Sequence, residues 1–503
     1  MYVRKKKNKS GIISVQVIDK STRSYKVKKT IGSSADLAEV EKLVARGKEW
    51  IDSFQGALHF DFDNSKKSAK HILDNISQIS VCGTAMLLGN IFNEIGFNKI
   101  DSPLFKPLVL SRLENPVSKL KTTDYWFKYH NISVDISSIY RYLDKLHETE
   151  QETIQRISFE HTQKILGTDI QMVFYDVTTL YFEAEQEDEF RKRGFSKDGK
   201  SQCPQIVLGL LVSSGGYPLA YDVFEGNKYE GETMLPIVDA FKQKYGFKKV
   251  TIVADAGLIN NKNVEELTTK NYSYILGARI KNEKRSIKEQ ILQLQLISGQ
   301  SHTIEKDKNT SLIINYSDKR AKKDRHNRER GLKRLEKQLA QGRLTKANIN
   351  NRGYNKFLKM KGEISIEIDE EKFKEDAKWD GLKGYQTNSK LSSSAVIESY
   401  QHLWKIEKAF RVSKTDLKIR PIYHRLQNRI ESHICLSFVA YKIYKELERQ
   451  LYNKKADLSP EKAIEIAKTI YKVTINIEPT ETVEKVILLK EEQKLLAQLF
   501  NLV

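Results

Sequence analysis

Between Ile170 and Arg279 the chain carries short apolar runs whose order leaves few folds open. Ile170–Asp176, Gln205–Val212, Tyr217–Phe224, Lys249–Asp255 and Tyr272–Arg279 have the length and side-chain types of strands. Gly215 and Gly216 turn the second run into the third. Helical spacing separates the last three: Leu235, Val238, Phe241 and Tyr245 share one side of a helix over Glu230–Tyr245, and another helix is expected over Asn261–Lys270. Strand, strand, strand, helix, strand, helix, strand predicts an α/β fold, a mixed sheet with helices on its faces. The first and fourth strands can lie side by side, because the hairpin takes one edge of the first and the crossover the other. Each ends in a carboxylate, Asp176 and Asp255. Ligands of open α/β sheets gather beyond the carboxyl ends of the strands.

A third acid stands in an unusual place. Read as one helix, Ser393–Lys414 stacks Val396, Tyr400, Leu403, Glu407, Phe410 and Lys414 on one side, at alternating steps of four and three. Glu407 is then a carboxylate within an inward stripe. An acid there has to be paired, protonated or bound to a metal. Three converging acids repel one another unless a cation neutralises them, and hard oxygen ligands with open positions suit Mg²⁺ or Mn²⁺. Two such ions about 4 Å apart can activate a water or a 3′-hydroxyl and stabilise the leaving oxygen of a phosphodiester. Each acid also has an ordinary reading, as a cap, a turn residue or half of a surface ion pair. The conjunction of the three is what points to chemistry.

The charge of the chain points to a polyanion partner, the alternative being a merely basic soluble protein. A formal charge of +20 over 503 residues favours nucleic acid. Three distant cysteines, Cys82, Cys203 and Cys435, show no metal-ligand spacing and argue for a reducing compartment. No apolar run is long enough to span a bilayer, and the start lacks the apolar core of a signal peptide, so a cytoplasmic protein is expected.

Residues 1–60 read as a basic β-hairpin followed by a helix, and 61–165 as a helical DNA-binding region. Within the latter, Ser137–Leu146 is either a recognition helix, exposing Arg141 and Lys145, or a packing helix. The catalytic core is expected over 166–281 and 385–452. Residues 282–384 form an inserted subdomain with strands over Ser301–Tyr316 and Gly362–Asp369 and a very basic helix over Lys319–Lys346; 453–503 form a C-terminal region.

From about Ile170 to His424 the chain resembles the DDE transposases of bacterial insertion sequences. The subgroup it most resembles has a Tyr-x2-Arg-x3-Glu-x6-Lys signature and a β-rich insertion. Tyr175-Asp176-Val-Thr-Thr-Leu is similar to the family's first-Asp strand, and Val253-Ala-Asp255-Ala-Gly-Leu to its second. Tyr400, Glu407 and Lys414 keep the signature spacing, while Leu403 stands where the signature has Arg and leaves that contact to Arg411 or Lys414. The resemblance implies an RNase H-like core in which Asp176, Asp255 and Glu407 hold two Mg²⁺ ions, with Mn²⁺ able to substitute. It implies cutting at the element's terminal inverted repeats, joining of the freed 3′-hydroxyls to target DNA, and a homodimer in the synaptic complex of a nucleoid-associated bacterial protein. Tyr400 and Lys414 would contact phosphates, and Trp404 is either a stacking platform for a displaced base or a core residue. The competing readings are an RNase H-like nuclease without strand transfer and a catalytically silent DNA-binding protein.

Overall fold

The computed structural model describes residues 1–20, 25–54, 72–167, 170–196, 199–246, 250–258, 261–350, 353–361, 365–478 and 481–503. Lys249 of the expected fourth strand and residues 362–364 of the expected insertion strand lie outside them. Two compact units emerge: Met1–Ile79 with Lys472–Lys485, and Ser80–Tyr471 with Val486–Val503.

In the first unit, β1 (Tyr2–Lys7), β2 (Ile13–Asp19) and β3 (Lys26–Ser34) form an antiparallel sheet. The central strand alternates inward Val15 and Val17 with polar neighbours, and the helix Leu37–Phe54 covers it through Val40 and Ile51. The expected hairpin is therefore a three-stranded sheet with a helix on one face. A second sheet has the order β16-β15-β4, with β4 at Ile76–Val81, β15 at Tyr471–Glu478 and β16 at Glu481–Ile487.

The second unit is organised by one eight-stranded sheet. Its strands in chain order are β5 (Met172–Tyr181), β6 (Gln205–Ser213), β7 (Pro218–Glu225), β8 (Thr251–Ala254), β9 (Ser273–Ala278), β10 (Ser301–Asp307), β11 (Thr310–Tyr316) and, after the two-stranded hairpin of β12 (Leu358–Lys361) and β13 (Ser365–Ile368), β14 (Leu382–Thr387). The spatial order is β10-β11-β14-β9-β8-β5-β6-β7. As the sequence order implied, β5 lies beside β8, parallel to it, and antiparallel to β6. Residues 282–384 do not fold apart from this sheet. Ser301–Tyr316, expected as one strand, is a hairpin of two, and both of its strands extend the sheet beyond β14. The basic stretch forms the helix Asp318–Ala340. The helices Pro460–Ala467 and Glu491–Phe500 complete this unit.

Strand alternation sorts the sheet's side chains into two cores. Val173, Tyr175, Val177, Ile252 and Ala254 face one way, under the helix Met234–Tyr245. Phe174, Leu180, Val253 and Ile275 face the other, where they meet Val396, Ile406, Phe410 and the long helix Gln427–Asn453. That helix is buried over much of its circumference, as expected of a central element. The helices between Gly83 and Leu166 join the same core. Among them, Ile136–Lys145 buries Ile139, Tyr142 and Leu143, and its Asp144 pairs with Arg429 of the long helix at 2.8 Å. Its packing role is thus visible, while Arg141 and Lys145 remain on its exposed side. Among the described residues, no helix is long and apolar enough to cross a membrane.

Candidate active site

The parallel ladder of β5 and β8 runs from Met172 opposite Thr251 to Tyr175 opposite Ala254. The next residue on each strand is an acid. Asp176 continues the side of Phe174 and Asp255 that of Val253, so both belong to the sheet face covered by the helices that follow Ser393. One expectation needs correction. Asp176 does not end its strand, because β5 continues to Tyr181 against β6, with Asp176 opposite Leu210 and Tyr181 opposite Gln205. The antiparallel partner is longer than the parallel one, so only the β8 side is open at Asp176. There its Oδ1 accepts a hydrogen bond from the Val177 amide at 2.8 Å. Asp255 does sit just past the end of its strand.

Ser393–Lys414 also departs from its reading as one helix. It is two helices, Ser393–Gln401 and Trp404–Thr415, broken at His402 and Leu403. Three-residue turns bridge the break, with Leu403 N donating to Tyr400 O at 3.1 Å and Lys405 N to His402 O at 2.9 Å. The second helix buries Ile406, Ala409, Phe410 and Val412, and Glu407 lies in its first turn on the exposed side. Glu407 is therefore not the buried charge that the stripe suggested. Its position at a helix N-terminus favours a carboxylate.

A cavity of about 350 Å³ brings the three acids together: Asp176, Asp255 and Glu407 all line it. Tyr400 closes one side. Expected as a DNA contact, it is only 5% exposed, and its hydroxyl donates to Asp255 Oδ1 at 2.8 Å. Its ring stands edge-on to Tyr385, with centroids 4.9 Å apart. Burial, and then the Asp255 carboxylate, raise the phenol's pKa, so Tyr400 stays a proton donor to that acid. Gly277 of β9 lies beneath it, and its missing side chain leaves room for the hydroxyl. Trp404, 54% exposed, stands on the cavity wall, while Leu403 brings an apolar side chain to the same wall. Arg411 and Lys414 follow farther along the helix, outside the lining.

Lys383 was not anticipated. β14 runs antiparallel to β9, so its first residues lie at the same end of the sheet as the carboxyl ends of β8 and β9. There the Lys383 ammonium lies 4.3 Å from the Tyr400 ring centroid and 5.4 Å from that of Tyr385. Burial and then Arg320 lower its pKa, while Asp255 and Glu407 oppose the shift. The turn Trp379-Asp380-Gly381 before a short β-forming run was the available signal.

Among the described residues, no three His, Cys, Asp or Glu side chains converge tightly enough to hold one metal ion by themselves. The arrangement does not suit an all-protein cage. It does suit a hard divalent cation that keeps waters and substrate phosphate oxygens in its remaining positions. Three hard-oxygen acids around an open cavity are such a donor set.

The family described as "Transposase DDE domain" matches residues 167–443, a span that contains all three acids. No curated protein matches the chain. A solved structure of the piggyBac transposase synaptic complex with hairpin DNA aligns over 76% of each chain, at 11% identity and a TM-score of 0.39. The matched domain covers more than half of the chain, and the protein belongs to the DDE transposases.

Proposed function

We propose that Asp176, Asp255 and Glu407 are the catalytic carboxylates of this transposase and that they bind two Mg²⁺ ions. The family is divalent-metal dependent. The observation that carries the assignment is the shared cavity, reached by acids from β5, the end of β8 and the helix Trp404–Thr415. Bound there, the ions supply Lewis-acid charge for activating the nucleophile and for the leaving oxygen.

The chain's own residues orient and hold. The three carboxylates define where the scissile phosphate sits. Tyr400 keeps Asp255 in place through its hydrogen bond. Trp404 offers an exposed ring for stacking on an unpaired base, and Arg411 and Lys414 bind phosphates farther along the strand. Water attacks phosphorus at the element end and a 3′-hydroxyl leaves. That hydroxyl then attacks a target phosphodiester and displaces a target 3′-oxygen. Two ends must be held in one event, which calls for two copies of the chain. The basic helix Asp318–Ala340 and the N-terminal strands add phosphate contacts outside the site.

The test is Glu407→Gln, assayed on DNA carrying the element ends. The variant is expected to bind the ends as the wild type does and to lose Mg²⁺-dependent nicking. Wild-type nicking rates in this variant would overturn the assignment.

A further inference from the structure

The cavity that holds the acids has a larger neighbour. A second cavity, of about 740 Å³, opens between the sheet and the segment that follows β11. Asp255, Tyr400 and Lys383 line both. The larger wall is rich in cations and aromatic rings, among them Arg279, Arg320, Tyr354 and Trp379. Its acids are largely occupied. Asp376 pairs with Lys281 at 2.7 Å and with Lys356 at 2.8 Å, and Asp380 with Arg328 through two bonds.

Lys383 is half-buried, and among the described residues it makes no ion pair; its ammonium lies over the faces of Tyr400 and Tyr385. The two rings hold the ammonium where the cavities meet. A partly desolvated cation that no carboxylate contacts directly, held over two rings beside the acids, is prepared for an anion from outside the chain. Leu403 contributes no charge to this wall, and Lys405 is turned away, donating to the Ser214 carbonyl at 2.5 Å.

We propose that Lys383 seats a backbone phosphate of the reacting DNA strand next to the scissile one, so that the strand passes from the acids into the larger cavity. The proposal rests on the catalytic reading of Asp176, Asp255 and Glu407. Arg320, on the far wall, is the next cation along that path.

The experiment scans the DNA end with single neutral methylphosphonates, one phosphate at a time around the cut, using the full chain as wild type, Lys383→Gln and Lys383→Arg. In the wild type, one position beside the cut is expected to lower nicking about tenfold or more, the loss of one charge-assisted contact. In Lys383→Gln that position loses its effect while the other positions keep theirs, and the salt slope of end binding falls by about 1. Lys383→Arg restores the wild-type pattern. Should the Gln variant not fold, Lys383→Met keeps the apolar stem on the rings and serves in its place. Identical scans in wild type and variant overturn the proposal. So does a Lys383→Gln protein whose sole change is its divalent-metal requirement, which would make Lys383 a counter-charge for the acids. Glu407→Gln, run in parallel, separates the two claims: if it nicks, the catalytic reading fails; if it does not and the scans coincide, only the role of Lys383 fails.

Discussion

Replacing Gly277 by alanine sets a methyl carbon 2.4 Å from the Tyr400 hydroxyl oxygen, 3.1 Å from the ring carbon bearing it and 3.1 Å from the Ala256 amide nitrogen. The amide belongs to the backbone beside Asp255 and cannot retreat, so the tyrosine must. Ordinary van der Waals contact begins near 3.4 Å, so the hydroxyl has to move by about 1 Å. Either its 2.8 Å bond to Asp255 opens or the carboxylate is drawn along with it. A hydrogen bond to a charged group contributes about 1.5–3 kcal/mol. Loss of a group that orients a metal ligand typically weakens metal binding about 10- to 100-fold. Gly277→Ala is therefore expected to raise the Mg²⁺ concentration for half-maximal nicking by about 10- to 100-fold, with end binding unchanged. Tyr400→Phe removes the hydroxyl directly and is expected to give a similar shift. The two changes should not add, because phenylalanine leaves nothing for the new methyl group to strike at 2.4 Å. The assay is a Mg²⁺ titration of nicking for the two single variants and the double variant, read as a double-mutant cycle with a coupling of about 1.5–3 kcal/mol. Additive effects, or a Gly277→Ala enzyme with the wild-type Mg²⁺ requirement, would refute the view that Tyr400 holds Asp255 in its working position.

Two further predictions concern stability. Arg112 is 3% exposed and donates to the carbonyls of Leu417 and Lys418, just beyond the Glu407 helix, and to Val117 O at 3.2 Å. Arg112→Met leaves these carbonyls unpaired and should cost about 2–3 kcal/mol, read from urea unfolding; a change under about 0.5 kcal/mol would show that they find other partners. Burial, followed by neighbouring cations, depresses the imidazole pKa values from 6.5, to about 3 for His424 and to about 4 for His161, and it depresses His433 in the same direction. The folded state therefore keeps these rings neutral where the unfolded chain takes up protons. Their contribution is intact above about pH 6.5 and is lost as the pH falls toward 4 and then 3. The urea midpoint should drop over that window and drop less in His424→Gln; an equal decline in both proteins would rule out His424 as a source.

The adjacency of Asp176 and Asp255 was legible in the sequence. A hairpin on one edge of β5 leaves the other edge for a parallel strand, and the run ending at Asp255 was long enough to reach it. Asp176 was misjudged as a strand end because the apolar pattern reports burial, whereas strand length depends on the partner: β6 carries β5 on to Tyr181. The break at His402 and Leu403 was invisible for a related reason. Steps of three and four continue through a short irregular turn without losing phase, so Val396 and Phe410 looked like one stripe although they belong to two helices. Glu407, counted inward on that stripe, faces out.

Local periodicity and side-chain chemistry, both properties of neighbouring residues, were enough to determine the mixed α/β core, the basic charge and the three candidate acids, and the motifs around those acids carried the resemblance to the family. The tertiary structure decided what depends on distant segments meeting. β14 inserts between β9 and β11, which places Lys383 at the carboxyl ends of strands lying more than a hundred residues earlier in the chain. Tyr400 folds back onto Asp255 over the space left by Gly277. Strand order and register are settled by burying both faces of the sheet at once, and no local window of the sequence contains both partners of such a contact.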